Sequence, residues 1–313
     1  MMYVWLLVGF VLLVKGADLF VDGSSSVARL LKVPSVIIGL TIVAQGTSAP
    51  EAAVSITAGF THNNEIAISN ILGSNIFNLM MVVGICAVIK AFQTDKMIMK
   101  RDFPISLGLT VLLGIFLLNG QLSRIEGGIL VLLMIGYMFL MVRAALKDRK
   151  LAKAVEEESE ETIKPLPAWK SILFIVIGLA SIILGGQLVV TNASLIATRF
   201  GLSENLIGLT IVAIGTSLPE LVTSIVAAGK GESGLALGNV IGSNIFNILF
   251  ILGISTLLNP IGTGIENMID ICILFVVSSV IFLFGLTGKK VNRWEGLLCV
   301  CGYIGYTVYL IMR

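Results

Sequence analysis

The chain has 313 residues, 56% hydrophobic and 13% charged, with a net charge of +2 and a mean hydropathy of +1.00. A soluble domain carries about 25% charged residues, so water alone cannot solvate this surface. A soluble enzyme, a nucleic-acid binder, a disordered chain and a disulfide-knitted secreted domain are excluded, and the composition specifies a polytopic α-helical membrane protein.

At about 20 apolar residues per crossing, ten spans are predicted. They cover Tyr3–Val21, Val36–Phe60, Ile66–Ile89, Phe103–Asn119, Ile125–Val142, Trp169–Val190, Leu206–Ala228, Gly234–Leu258, Ile269–Leu286 and Trp294–Met312. The first lacks a preceding basic stretch and a small-residue cleavage site, so it is expected to be retained. The second, third, seventh and eighth run long and carry Gly, Ser and Asn in their middles. With the N-terminus outside, 17 of the 21 Lys and Arg fall on the inner side, among them Arg29, Lys32, Lys96, Lys100, Lys230 and Lys290. Arg124, Arg199 and Arg313 fall outside and Lys15 within the first span. That bias places both termini outside the plasma membrane. Residues 144–168 form a linker with an acidic run, Glu156 to Glu161, closed by Pro165 and Pro167, and read as a solvated cytoplasmic connector.

Lys15 and Asp18, three residues apart, are expected to pair or to reach for the interface. His62 is given no role. Trp5, Trp169, Trp294 and the tyrosines near span ends suit interfacial anchoring. The four cysteines form no CxxC pair and are expected to act as small buried hydrophobes.

The strongest feature is an internal repeat. Gly39–Glu51 (GLTIVAQGTSAPE) matches Gly208–Glu220 (GLTIVAIGTSLPE) at 11 of 13 positions, and Asn70–Asn78 (NILGSNIFN) matches Asn239–Asn247 (NVIGSNIFN) at 7 of 9. Both pairs are offset by 169 residues, and the register holds from Gly16/Gly185 to Gly84/Gly253. Each half, 1–143 and 169–313, holds five spans, so the second enters the membrane from the opposite side. The expected fold is all-α: ten transmembrane helices in two inverted five-helix repeats, the plan of many secondary transporters.

Glu51 and Glu220 lie well inside apolar spans, where a charge costs at least about 2.5–3.5 kcal/mol and marks a functional site. Pro50 and Pro219 precede them; each removes a helical N–H and frees carbonyls near Gly46–Thr47 and Gly215–Thr216. Thr47, Ser48, Thr216 and Ser217 add hydroxyls. A plain kink with Ser and Thr bonding back to carbonyls is the alternative. The companion spans supply Ser74, Asn75 and Asn78 with their mates Ser243, Asn244 and Asn247; Ser74 and Asn78, four apart, share a helix face. Gly73 and Gly242 are expected to permit close helix approach. Carboxylates, hydroxyls, amides and carbonyls without His or Cys form an oxygen set suited to hard cations, Ca²⁺ taking 6–8 oxygens at about 2.3–2.6 Å. Several Na⁺ could use the same oxygens.

At these residues the sequence resembles the Ca²⁺/cation antiporters, and within them the prokaryotic Na⁺/Ca²⁺ exchangers, whose paired α-repeats read G-T-S-x-P-E followed by G-S-N-x-x-N or D. The resemblance implies alternating access in a ten-helix fold. It implies Ca²⁺ on Glu51 and Glu220 with the carbonyls of Thr47 and Thr216. It further implies Na⁺ on the carbonyls of Ala44 and Ala213 and on Ser48, Ser74, Ser217 and Ser243, with Asn78 and Asn247 at the centre. Many members carry Asp at one asparagine position; here both are Asn. Proton-coupled relatives tend to place an acid in a G-N-x-x-E pattern, absent here, which favours Na⁺. The ions are substrates, with no cofactor, enzyme activity, nucleic acid or obligate protein partner expected beyond the lipid bilayer. H⁺/Ca²⁺ antiport and a cation channel stand as alternatives.

Overall fold

A computed structural model describes residues 1–60, 64–155, 165–201, 211, 213–288 and 290–312. His62, the acidic run of the linker, the start of the seventh span from Leu206 to Thr210, Lys289 and Arg313 lie outside the described residues.

Among the described residues eight helices are long and apolar enough to cross a membrane, and two shorter apolar helices lie between them. With the further segments Ala49–Phe60 and Ala213–Thr216, the helices in chain order are α1 (Met2–Leu31), α2 (Ser35–Thr47), α3 (Ala49–Phe60), α4 (Glu65–Ile89), α5 (Ile98–Asn119), α6 (Arg124–Val155), α7 (Ala168–Arg199), α8 (Ala213–Thr216), α9 (Leu218–Gly229), α10 (Ser233–Leu258), α11 (Ile265–Gly288) and α12 (Arg293–Met312). The predicted second and seventh spans are therefore not single rods. Each is broken, at Ser48 and at Ser217, one residue before the helix that carries the glutamate.

Helix α1 runs ten residues past its predicted end. Asp22 and Ser24 to Ser26 lower the local hydropathy, but the three serines are buried. The helix stops where Lys32 takes the left-handed conformation (φ 57°) and donates its N–H to Ala28 O, just ahead of Pro34. Glycines set its neighbour. A Cβ on Gly16 would fall 2.9 Å from Gly178 O, one on Gly178 2.7 Å from Gly16 O, and one on Gly185 2.7 Å from Gly9 O. Gly9, Gly16 and Gly23, spaced by seven, thus meet Gly185, Gly178 and Ser171 on antiparallel α7, backbone against backbone.

Two short strand pairs tie loops together at the helix ends: β1 (Phe92–Gln93) pairs antiparallel with β4 (Lys290–Val291), and β2 (Gln121–Leu122) with β3 (Ile261–Gly262). Lys230 donates to Asp18 and Asp22, both at 2.6 Å, and Arg29 meets Glu232 at 3.4 Å. Partial burial pulls the Lys230 ammonium down, but the hydrogen bonds and charges of Asp18 and Asp22 outweigh it and leave it raised above the ordinary lysine value. Asp18 is thus engaged across the fold by Lys230, and the expected local pairing with Lys15 is not formed.

Further expectations need correction. The linker is not all solvated connector: α6 continues to Val155, and the Leu166 N–H donates to Ser26 Oγ (2.8 Å), docking the linker's end on α1. Cys86 and Cys299 are buried, but Cys272 and Cys301 are exposed on the outer faces of their helices. The three tryptophans are exposed, as anchors should be. Tyr137 and Tyr306 are buried instead, donating to Asp102 (3.2 Å) and Asp270 (3.1 Å), two buried aspartates near span ends.

Candidate cation site

Two half-helices deliver the carboxylates. Ser48 and Ser217 hold ψ near 9° and 6°, in the bridge region, ending one helix and starting the next. Glu51 and Glu220 fall in the first turn of α3 and α9. There the helix dipole favours a negative charge, and Pro50 and Pro219 sit where no intrahelical N–H is needed. Both glutamates have no exposed surface.

The hydroxyl at each break reaches across to the other repeat. Ser48 Oγ donates to Glu220 Oε1 (2.8 Å) and Ser217 Oγ donates to Glu51 Oε1 (2.9 Å). The companion helices approach the same oxygens: Ser74 Oγ lies 3.4 Å from Glu51 Oε1, and Ser243 Oγ 3.5 Å from Glu220 Oε1. Backbone packing permits it, since a Cβ on Gly242 would lie 2.7 Å from Leu40 O. Gly73, expected to act likewise, has nothing within 4 Å among the described residues.

Four asparagines lock the centre. Asn75 and Asn244 donate to each other's backbone carbonyls (3.2 Å each). Asn78 Nδ2 then donates to Asn244 Oδ1 (3.2 Å), and Asn247 Nδ2 to Asn75 Oδ1 (3.0 Å). Both π-helical turns of these helices begin at Asn78 and Asn247, a distortion frequent at functional sites. Asn75 and Asn244, expected to supply oxygens to the cage, instead clamp the two companion helices together. A second tier fixes the carboxylate backbones: Asn70 Nδ2 donates to Glu51 O and Ser55 Oγ, and Asn239 Nδ2 to Glu220 O and Ser224 Oγ.

This network consumes the donors and leaves acceptors. Eight buried side-chain atoms lack a hydrogen-bond partner among the described residues, and four are Glu51 Oε2, Glu220 Oε2, Asn78 Oδ1 and Asn247 Oδ1. An unpartnered buried oxygen is costly. Four of them, on the paired glutamates and paired asparagines that bond across the two repeats, fit a cation. No group of three or more His, Cys, Asp and Glu is present among the described residues, so amides, hydroxyls and carbonyls must complete any coordination shell.

The other expected ligands divide. Thr47 Oγ1 turns to Asn239 Oδ1 (3.0 Å), which leaves its carbonyl as the atom for an ion. Ala44 O already accepts from Ser48 N (3.1 Å) and Ser243 Oγ (3.3 Å), so a cation there has to displace a protein donor. Ala213 opens and Thr216 closes α8, directly before the break at Ser217.

Comparison with known proteins gives the same reading. Residues 1–143 and 170–312 match the family described as sodium/calcium exchanger protein. The chain is 42% identical to a putative antiporter, CaxA, of Alkalimonas amylolytica over 98% of each chain. It is 35% identical to the sodium/calcium exchanger MaX1 of Methanosarcina acetivorans over 97% of each. A solved structure of the sodium-calcium exchanger NCX_Mj superposes with a TM-score of 0.82 at 34% identity, covering 97% of this chain and 96% of that one. On the strength of that match across both halves, this chain belongs to the sodium/calcium exchanger family of multi-pass membrane proteins.

Proposed function

We propose that the chain exchanges Na⁺ for Ca²⁺ across the plasma membrane by alternating access, in ten spans forming two inverted five-helix repeats (1–143 and 169–313). The observation that carries this is the set of four buried oxygens on Glu51, Glu220, Asn78 and Asn247 that lack a donor among the described residues. Two carboxylates balance one Ca²⁺ or two Na⁺, and that equivalence lets the ions compete for one site. Ca²⁺ takes both glutamates with the Thr47 and Thr216 carbonyls. Na⁺ uses the glutamates with Ser48, Ser74, Ser217, Ser243 and the Ala44 and Ala213 carbonyls. An orientation with both termini outside is supported by the inner-side excess of Lys and Arg. It also agrees with the pairing of Arg29 with Glu232 and of β1 with β4, which joins segments assigned to the inner side.

The test is ⁴⁵Ca²⁺ uptake into proteoliposomes against an imposed Na⁺ gradient, with K⁺ and pH varied. Uptake that requires Na⁺ on the opposite side supports the reading. Uptake driven by a pH gradient alone selects H⁺/Ca²⁺ antiport, and Ca²⁺ leak needing no counter-ion selects a channel.

A further inference from the structure

Beside the strand pair β1–β4 lies a cavity of about 600 Å³ lined by Gln93, Thr94, Lys96, Met99, Lys100, Gly285, Leu286, Gly288 and Lys290. Its three lysines come from two distant parts of the chain. None is within ion-pair distance of a carboxylate among the described residues. The nearby acids are committed elsewhere: Asp95 Oδ1 accepts the Met97 N–H (2.6 Å), and Asp102 takes Arg101 in a two-point contact at 3.0 Å. Three uncompensated cations at one concavity call for an anion.

The repeat supplies an internal control. The strand pair β2–β3 is the 169-residue counterpart of β1–β4, with Gln121 paired to Gly262 where Lys290 is paired to Gln93. At that corner the positions of Lys96, Lys100 and Lys290 are held by Ile265, Ile269 and Gln121, while Met99 and Thr94 have Met268 and Thr263 as counterparts. The surface around Ile265, Met268 and Ile269 is an apolar groove. The same local fold therefore forms without the lysines, so packing does not demand them.

We propose that this cavity binds the anionic phosphate headgroup of an inner-leaflet phospholipid. The three ammonium groups surround the phosphate, and the acyl chains run over Met99 and Leu286 toward exposed Leu283. Basic pockets between transmembrane helices on the cytoplasmic side bind such headgroups. Assignment to the inner leaflet rests on the orientation proposed above; the binding itself does not.

The experiment is native mass spectrometry of the full chain purified in detergent, titrated with phosphatidylglycerol, cardiolipin or phosphatidylcholine. Binding in detergent is independent of orientation and transport, so its failure is separable from failure of the exchange reading. The anionic lipids should bind in preference to phosphatidylcholine. Each lysine removed should weaken them about fivefold, the equivalent of about 1 kcal/mol per basic residue. Lys96→Gln/Lys100→Gln/Lys290→Gln should then lose on the order of a hundredfold. Lys32→Gln/Lys153→Gln/Lys170→Gln, which removes the same charge elsewhere on that side, should bind like the parent. Should the cavity triple variant not fold, Lys290→Gln alone, at the exposed position of its two-residue strand, carries the fivefold test. Equal loss in both triple variants would reduce the effect to diffuse charge and overturn the site. Displacement by inorganic phosphate as readily as by added lipid would make it a free-anion site and overturn the lipid, and no preference among headgroups would overturn both.

Discussion

The crossing of the two serines gives the sharpest test of the cage. In sequence Ser48 belongs with Glu51, three residues on, and Ser217 with Glu220. In the structure each hydroxyl donates to the carboxylate of the other repeat, at 2.8 and 2.9 Å, with all four side chains fully buried. A hydrogen bond to a charged group contributes about 1.5–3 kcal/mol. Ser48→Ala should therefore lower Ca²⁺ affinity by about 1–2 kcal/mol, 5- to 30-fold, because Glu220 loses the donor that orients it. The diagnostic quantity is the coupling. Equilibrium ⁴⁵Ca²⁺ binding on the single and double variants gives two cycles, Ser48→Ala with Glu220→Gln and Ser48→Ala with Glu51→Gln. The crossed pair should couple by about 1–2 kcal/mol and the same-repeat pair by less than about 0.5 kcal/mol. Coupling as large within a repeat as across would mean that the half-helices do not interlock as described.

Glu51→Gln and Glu220→Gln should each abolish Ca²⁺ transport with expression intact, and acidification should inhibit the parent, since each proton on a glutamate removes half the balancing charge; flux assays across the pH range check both. Asn247→Asp should steepen that pH dependence, because Asn75 Oδ1 needs a donor from position 247 and a carboxyl supplies one only while protonated; a pH profile superimposable on the parent's would place Asn247 outside the network. Gly178→Ala should lower the thermal midpoint by the equivalent of about 1–3 kcal/mol, its Cβ falling 2.6 Å from Phe20 N, whereas Gly186→Ala on the same helix, with nothing nearer than 3.9 Å, should be tolerated. Lys230→Met should cost less than about 1 kcal/mol because its pairs are partly exposed and screened. Its raised pKa means that the contribution is fully present at neutral pH and is lost only as the pH climbs through the lysine range, which pH-dependent melting of parent and variant would reveal.

Much of this was legible in the sequence because membrane solvent is unforgiving. A glutamate after proline in an apolar span has few innocent explanations, and finding the same turn twice at one offset named both carboxylates and their serines. What escaped is set by distance in space. Which serine serves which glutamate depends on how the halves interlock, and local spacing carries no information on it. Asn75 and Asn244 stood in the motif, but their clamp joins residues 169 apart through each other's carbonyls. Hydropathy alone ends α1 near Val21 because Ser24 to Ser26 are polar, whereas in the fold Ser26 is held by Ser171 Oγ at 3.0 Å and by Leu166. Asp102 and Asp270 read as span-end acids, and only the tertiary fold brings Tyr137 and Tyr306 onto them.

An antiporter must change sides loaded and must not change sides empty, and the bonding in the cage bears on that requirement. The donors that bridge the two repeats are committed: the Ser48 and Ser217 hydroxyls to Oε1 of the opposite carboxylate, and the Asn78 and Asn247 amide N–H groups to their asparagine neighbours. Among the described residues the second oxygen of each carboxylate and the Asn78 and Asn247 amide oxygens have no hydrogen-bond donor. Burying an acceptor without a partner costs about 1–3 kcal/mol, and more for a charged group. On the proposed reading, a cage closed around four such oxygens is therefore unfavourable by several kcal/mol until a cation supplies the missing charge. Without an ion those oxygens need water, and water requires an opening to one side. On that reading either cation species supplies the charge the two carboxylates lack and lets the helices close. Coupling then needs no separate gatekeeper; it follows from two repeats that contribute matching acceptors and consume each other's donors.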